Sequence, residues 1–586
     1  MNAYRWRYLL GFFAVLGASF VVMVPPFILA RAIDELRDGL GGGVGPSRLQ
    51  LAAYGAIILA LAAVEGSLRF GGRLLVSGTS RRVEYNMRND LAAHLMKLDQ
   101  GFFQRSSTGD LMARCTNDLQ LVRDLLGPSA IDLARTLSML AFGFVFLVFV
   151  NMRLGLLAFA YFPIVAALIA GFSAAVEARY RAVQDQFGVL STRVQENVSG
   201  MRTIKAYAQE GTEREHFRSA NREMQKRSMA WAYWTAALWP LMTVATGAST
   251  VLVLWFGGRD VVSGDMTLGE FVQFNSYLIL LANPLMSLGW TATAVQAGVA
   301  SLKRIGEVLS TEPSIADPAQ AAAPSTTRGA VSFRNVSFAY TGENVLHDVT
   351  LDIPAGSMVA LVGATGSGKT TLVNLLARLW DPAAGQVLID GVDLRDLPLA
   401  TVRQAVGFVP QETFLFSESL RENIQYGRAD ASAGQMELAL HTSQLSNDLA
   451  QLTHGLDTVI GERGVTLSGG QKQRTAIARA VIKDSPILVL DDSLSHVDTH
   501  TEEEILHRLR EFAARRTTIV VAHRTSTIAM ADRVVVFDAG RIVETGTHAE
   551  LIEQAGAYAR FYRRQLLAEQ IEEDDDGLPA AGEALR

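Results

Sequence analysis

The residues from Gly363 to Thr370, Gly-Ala-Thr-Gly-Ser-Gly-Lys-Thr, fit the spacing G-x-x-x-x-G-K-[ST]. In such a loop the glycines let backbone N–H groups turn toward phosphate oxygens. The start of the following helix adds the positive end of a dipole. Lys369 would reach the β- and γ-phosphates, and the Thr370 hydroxyl would bind Mg²⁺. The context agrees, because an apolar strand over Met358–Val362 precedes the loop and a helix over Thr370–Leu379 follows it. A second apolar strand, Ile487–Leu490, closes with Asp491, 122 residues after Lys369. A carboxylate at such a strand end is the usual Mg²⁺-side partner of a phosphate loop. A third strand, Thr518–Val521, delivers His523 just past its end. That places the imidazole on the edge where phosphates bind, as a γ-phosphate contact.

These residues need a sheet to carry them, and from Val331 onward short apolar strands alternate with amphipathic helices in an α/β layout. The first 310 residues are different. They hold the apolar runs of a chain that is 49% hydrophobic and 19% charged over 586 residues. A membrane-crossing helix needs about 20 apolar residues. Six spans meet that need, at about 8–32, 50–75, 130–150, 154–176, 233–257 and 271–298. The first is longer than a signal-peptide core and has no cleavage site, so it is read as a retained span. The segment Val76–Gly127 carries seven Lys or Arg and Glu177–Arg227 carries ten, while the other connections carry one or two each. Positive charge marks the cytoplasmic side. Both termini and these two long connections are therefore expected in the cytoplasm, with the chain multi-pass in the cell's inner (plasma) membrane. The two connections are 52 and 51 residues long with amphipathic spacing, and read as helical hairpins that act as levers. Their tips are Ser107–Asp118 and Tyr207–Phe217. Glu65 and Arg69 lie four apart on one helix face and can pair. Gly143, Thr243, Thr246, Ser249 and Thr291 are candidates for a small, mostly apolar substrate cavity.

The fold class expected is a multi-domain membrane protein. An all-α six-helix transmembrane domain with long cytoplasmic extensions (1–310) precedes a Pro/Ala/Ser/Thr-rich linker (311–328), an α/β phosphate-loop domain (329–568) and an acidic, disordered and solvated tail (569–586). The net charge of −6 gives no basic excess, so nucleic acid is not an expected partner. The single cysteine, Cys115, forbids a disulfide within the chain.

Leu467-Ser468-Gly469-Gly470-Gln471 resembles the signature of ABC-transporter ATPase domains, and here it stands between the phosphate loop and Asp491 in the order that family uses. The resemblance runs from the first span to about residue 565 and implies a half-size ABC exporter. It implies that ATP is held by Tyr340, stacked on adenine, and by Gly363, Ala364, Thr365, Gly366, Ser367, Gly368, Lys369, Thr370 and Thr371. It implies Mg²⁺ at Thr370, Gln411 and Asp491, and catalytic roles for the residue at 492, for Gln411 and for His523. Glu462 and Arg463 match a loop that meets the levers, and Asp498 ends the loop that crosses to the partner domain. Each ATP would lie between the phosphate loop of one chain and the signature of another. Two ATPase domains must then meet, and a second half-transporter is the implied partner.

The chain departs from the family at one decisive position. Where the family has a glutamate that polarises the attacking water, this sequence has Asp492, one methylene shorter. The next loop reads Ser495-His496-Val497-Asp498, where the family usually has alanine in second place. This pattern is similar to the degenerate-site subunit of bacterial heterodimeric multidrug exporters. The expectation is an exporter of amphipathic drugs, lipids or peptides, slow at its own site and completing its partner's site through an intact signature. The alternatives are a homodimeric lipid flippase or exporter with the same engine, and a non-transporting nucleotide sensor. The intact signature argues against the sensor. The spans exclude the soluble ABC ATPases of DNA repair.

Overall fold

The computed structural model describes residues 4–40, 45–318, 320, 328–461, 467–494, 499–514 and 516–576. The chain divides into two compact units. One comprises Met1–Met96 with Thr108–Thr311, the other Lys97–Ser107 with Glu312–Arg586.

The first unit is helical. Its long helices are Arg48–Leu95, Ala130–Val150, Met152–Ser199, Glu210–Ser263 and Leu268–Leu309. The first expected span, 8–32, is instead two helices, Arg5–Val21 and Pro25–Leu40, broken just before Pro25-Pro26. Proline has no N–H for the preceding turn and ends it there. Among the described residues, Arg5–Leu40, Arg48–Leu95 and Thr108–Val150 are long and apolar enough to cross a membrane. The remaining spans fall inside Met152–Ser199, Glu210–Ser263 and Leu268–Leu309.

A core of Met23, Met139, Leu147, Leu154, Phe274, Tyr277 and Leu281 joins these helices. Its one buried phenol is satisfied, since Tyr277 donates to the Met23 carbonyl at 2.9 Å and accepts from Gln273 at 3.0 Å. Two candidate cavity residues are packing residues instead. A Cβ on Gly143 would stand 2.6 Å from Leu281, and Thr291 is buried. Ser249 does line a 200 Å³ apolar cavity, together with Leu154, Leu157, Phe256 and Leu278. Thr243 is exposed, and Thr246 offers no described side chain. Glu65 and Arg69 pair at 3.5 Å and line a smaller cavity with Arg73, Asp132 and Arg135.

The sequence pattern did not reveal two π-helical segments, Arg114–Asp118 and Leu125–Ser129. The second contains Pro128, whose missing N–H a widened turn accommodates. In the first, Asp118 is buried and accepts from Ser301 Oγ at 2.9 Å and Arg304 Nε at 2.8 Å.

The second unit is α/β. Its strands are β1 (Val331–Phe338), β2 (Leu346–Ile353), β3 (Met358–Gly363), β4 (Ala384–Ile389), β5 (Val392–Asp393), β6 (Val406–Val409), β7 (Ile487–Asp491), β8 (Thr517–Val521), β9 (Arg533–Asp538) and β10 (Arg541–Gly546). An antiparallel sheet runs β2-β1-β4-β5, and a six-stranded sheet runs β10-β9-β3-β8-β7-β6. In the larger sheet β9, β3, β8, β7 and β6 are parallel. Parallel strands are buried on both faces, which is why they read as unbroken apolar runs. The period of two is still visible in the packing. Ala360 and Val362 of β3 and Leu488 and Leu490 of β7 face one core, while Val359, Leu361, Ile487 and Val489 face the other.

The expected linker is tied down over its first part. Ile315 is buried, the Ala316 carbonyl accepts from Arg378, and Asp317 accepts from the Leu399 N–H at 2.7 Å. Residues 321–327 lie outside the described residues. The helix Ala557–Asp576 runs through the acidic residues Glu572–Asp576 at the start of the expected tail, and residues 577–586 lie outside the described residues. Its start is held by Glu544, which accepts the N–H groups of Ala557 and Tyr558, and by the buried Tyr558 ring. Extending a nucleated helix is cheap.

Candidate active site

Four neighbouring parallel strands bring the chemistry to one edge. Gly363 ends β3, Asp491 ends β7, His523 lies two residues beyond β8 and Gln411 two beyond β6. Ligands of open α/β sheets bind at the carboxyl ends of the strands.

The loop Gly363–Gly368 turns from β3 into the helix Lys369–Leu376. Gly363 has φ +147°, and a Cβ there would stand 2.2 Å from the Phe537 carbonyl oxygen. Gly368 has φ +101°, with Leu346 2.7 Å from its would-be Cβ. Only glycine fits either position. Ala364 accepts the Ser367 N–H at 3.1 Å, closing the turn that holds Thr365 and Gly366. Lys369 lies over this loop and donates to the carbonyls of Gly363 and Ala364, both at 2.9 Å. Burial pushes its pKa down, against the pull of Asp491 and Asp492.

Thr370 Oγ1 donates to Asp491 Oδ1 at 3.0 Å. A hydroxyl and a carboxylate meeting at a phosphate loop are hard oxygen donors of the kind that suit Mg²⁺. Among the described residues no group of three His, Cys, Asp or Glu could hold a metal. Burial, then the Asp492 charge, push Asp491 up to about 6, against the Thr370 bond and Lys369. The nucleotide-free fold thus binds a proton that the unfolded chain releases near pH 4. The contribution of Asp491 to stability therefore falls as pH rises from about 4 to about 6, since over that window the folded state holds the extra proton at this carboxyl. Asp491→Asn is expected to raise the melting temperature without nucleotide or Mg²⁺ and to flatten this pH dependence. A lower melting temperature would contradict it.

Asp492 has φ +46°, and its N–H donates to the Val521 carbonyl at 3.2 Å. Its Oδ2 accepts from Gln411 Nε2 at 3.4 Å, so the strand-end acid and the β6 glutamine converge. Burial pushes His523 below its ordinary value despite the Asp492 carboxylate, which leaves the imidazole neutral at pH 7. Tyr340, just past β1, donates from its hydroxyl to Thr371 Oγ1 at 3.2 Å. Its ring meets Trp380 edge to face at 5.2 Å. Sequence reasoning missed Trp380, because nothing in its local pattern separates it from a core aromatic.

The signature residues form a helix start. Leu467 is buried and Ser468 caps the helix Gly469–Lys483. Ser468 Oγ accepts the Gln471 N–H at 3.2 Å, and Gln471 Oε1 accepts the Ser468 N–H at 3.0 Å. Ser468 and Gly469 are exposed, so this helix end faces outward. Behind it Arg474 donates to both oxygens of Asp448 at 2.9 Å. That buttress was also unread, although Arg474 sits one turn after Gln471. Asp498 of the crossing loop, with Ser495–Val497, and the loop residues Glu462 and Arg463 lie outside the described residues.

The ABC transporter transmembrane region family matches residues 8–285, and the ABC transporter family matches residues 346–495. The "Probable multidrug resistance ABC transporter ATP-binding/permease protein YheI" of Bacillus subtilis (strain 168) is 36% identical over 97% of this chain and 96% of its own length. The chain belongs to the ABC transporter family. The ATP-dependent lipid A-core flippase of Syntrophus aciditrophicus (strain SB) is 35% identical over 89% of this chain and 86% of its own length. A solved bacterial Atm1-family ABC exporter with ATP bound superposes with a TM-score of 0.78 at 28% identity, covering 96% of this chain and 99% of the other. This ABC exporter therefore fuses a helical transmembrane domain to an α/β ATP-binding domain. It is a membrane ATPase that couples hydrolysis to transport, and exporters of this kind work as dimers.

Proposed function

We propose that this ABC exporter is the slow-site half of a heterodimer that moves amphipathic or hydrophobic substrates (drugs, lipids or peptides) out of the cytoplasm or inner leaflet. The observation that carries the reading is Asp492, a shortened acid in an otherwise complete site, beside an intact Ser468–Gln471 signature. ATP sits against Tyr340 and the loop Gly363–Thr371. Thr370, Gln411 and Asp491 hold Mg²⁺, which neutralises phosphate charge when bound. Asp492 and His523 orient the attacking water and the γ-phosphate at this chain's slow site. Asp498 crosses to the partner. The partner, a related half-transporter bearing the glutamate, supplies the fast phosphate loop, and this chain's signature closes over it. The mostly apolar cavity and the multidrug and lipid A-core relatives support the substrate class. The test is co-purification from native membranes. A related second half-transporter is expected at one-to-one stoichiometry, and recovery of this chain alone, as an active homodimer, would replace the reading.

The domain limits stay those of the sequence reading, with six spans over 1–310, the linker at 311–328 and the ATP-binding half at 329–568. The membrane is the cell's inner membrane, with both termini cytoplasmic. Cys115 tests that topology. It is half-buried, and burial pushes its thiol up against the pull of Arg88. An impermeant maleimide is expected to modify it in inverted vesicles, slowly at pH 7 and faster as pH rises, because the thiolate is the nucleophile. Modification in intact cells would overturn the orientation.

A further inference from the structure

The segment Lys97–Ser107, which forms the turn between the helices Arg48–Leu95 and Thr108–Val150 where the sequence placed the tip at Ser107–Asp118, belongs to the same compact unit as the ATP-binding half. Its short helix Gln100–Arg105 is pinned at Asp99. Asp99 Oδ1 accepts the Phe102 N–H at 3.1 Å, and Oδ2 accepts the N–H and hydroxyl of Ser314 at 3.0 and 2.6 Å. Burial opposes ionisation of Asp99, but these bonds outweigh it and hold the carboxyl below its ordinary value. The pin is therefore charged throughout the physiological range.

Pinning sets Gly101 directly on an indole. Gly101 is buried, and a Cβ built there would stand 2.8 Å from Cζ3 and 3.0 Å from Cη2 of Trp380. The same indole meets Tyr340, with ring centroids 5.2 Å apart and planes at 87°. Phe338 closes the cluster, 4.8 Å from Tyr340 and 5.9 Å from Trp380. The Tyr340 hydroxyl is anchored on Thr371. One side chain thus separates the hairpin backbone from the ring on which adenine is proposed to stack. Edge-to-face contacts fix the relative planes of rings. Close-packed interiors transmit a displacement rather than absorbing it.

We infer that Trp380 is a positioning residue that ties the seating of the hairpin turn at Gly101 to the stacking face of Tyr340. Nucleobase binding then holds the turn in place, and a displaced turn weakens nucleobase binding, since coupling between two sites is reciprocal. The inference rests on the proposed role of Tyr340. It adds a consequence that role does not contain: the hairpin should sense the base and not the phosphates.

The experiment uses the complete exporter in native membranes. Photolabelling of this chain by 8-azido-ATP is competed with ATP or with inorganic tripolyphosphate, both as Mg²⁺ complexes. The ratio of the two competing concentrations reports the contribution of the base. In Gly101→Ala the added methyl pushes on the indole and on Asp99 Oδ1, 3.0 Å away, so it displaces the turn against Trp380, and ATP is expected to compete about tenfold less well, as overpacking by one methyl implies. Tripolyphosphate should compete as before. Trp380→Leu should weaken ATP similarly and remove the further effect of Gly101→Ala, while Trp380→Phe should restore most of the affinity. Equal losses for ATP and tripolyphosphate, an unchanged ratio in Gly101→Ala, or independent losses in the double variant would each overturn the inference. Tyr340→Ala separates the two claims. If it leaves the ratio unchanged, the stacking role fails. If it lowers the ratio and Gly101→Ala does not, only the relay fails.

Discussion

Ser468→Arg in this chain is expected to lower ATP hydrolysis and transport by the complex on the order of 100-fold or more, the scale of losing a preorganised anion contact. Asp492→Asn should change both by less than about threefold, because that carboxylate serves a site whose departure from a glutamate already slows it. Ser468 is exposed and caps the helix Gly469–Lys483 through its bond with the Gln471 N–H. Arginine there removes the cap and fills the space that a partner's γ-phosphate would occupy. Lys369→Ala should fall between the two. It takes away the cation poised over the loop carbonyls and weakens the clamp without touching the fast site. The measurement is ATPase rate and substrate uptake into inverted vesicles for the three variants. Equal losses for Ser468→Arg and Asp492→Asn would mean that both sites work alike, and the asymmetric mechanism would have to be dropped.

The second large effect concerns the chain by itself. Purified without a partner, it is expected to hydrolyse ATP slowly, since every site it forms with a second copy carries Asp492. Asp492→Glu should raise the rate by roughly 100-fold, because a misplacement of about 1 Å at a reacting group costs that much. The backbone supports a geometric defect rather than a lost group. Asp492 keeps its N–H bond to β8, and its carboxylate reaches Gln411 at a long 3.4 Å. One more methylene extends the acid from the same anchor. Vigorous, substrate-stimulated turnover by the wild-type chain alone would sink the heterodimer reading. An unchanged rate in Asp492→Glu would move the defect to the Ser495–Asp498 loop, where His496 is the other departure.

The sequence alone determined the parts whose physics is local. The phosphate loop was legible because glycine spacing, an apolar strand and a helix start are all neighbours in the chain. Spans such as Arg5–Leu40, Arg48–Leu95 and Thr108–Val150 were legible because a bilayer thickness translates into a residue count. The signature was legible as a helix start because Ser468 and Gln471 stand at the spacing of reciprocal caps, and that bond pair is present. Asp492 stands out only against the resemblance to a family that has a glutamate after the strand-end aspartate.

Tertiary structure decided whatever depends on residues far apart in the chain. Gln411 and Asp492 meet across 81 positions, because β6 and β7 are adjacent in the sheet although nothing in either segment encodes their neighbourhood. Gly143 and Thr291 looked like cavity residues because small and polar side chains suit a cavity. They suit close helix packing equally well, and only the position of Leu281 separates the two for Gly143. The linker was read from its composition, which says nothing of the partners that Ser314 and Asp317 find at positions 99 and 399. The acidic end read as a tail because charge runs repel, and nothing local to it encodes the helix that starts near Glu544 and Tyr558 and reaches Asp576. Trp380 was invisible in the same way. Its importance lies in touching Gly101 on one side and Tyr340 on the other, and a contact made across 279 residues leaves no mark on the local pattern of either.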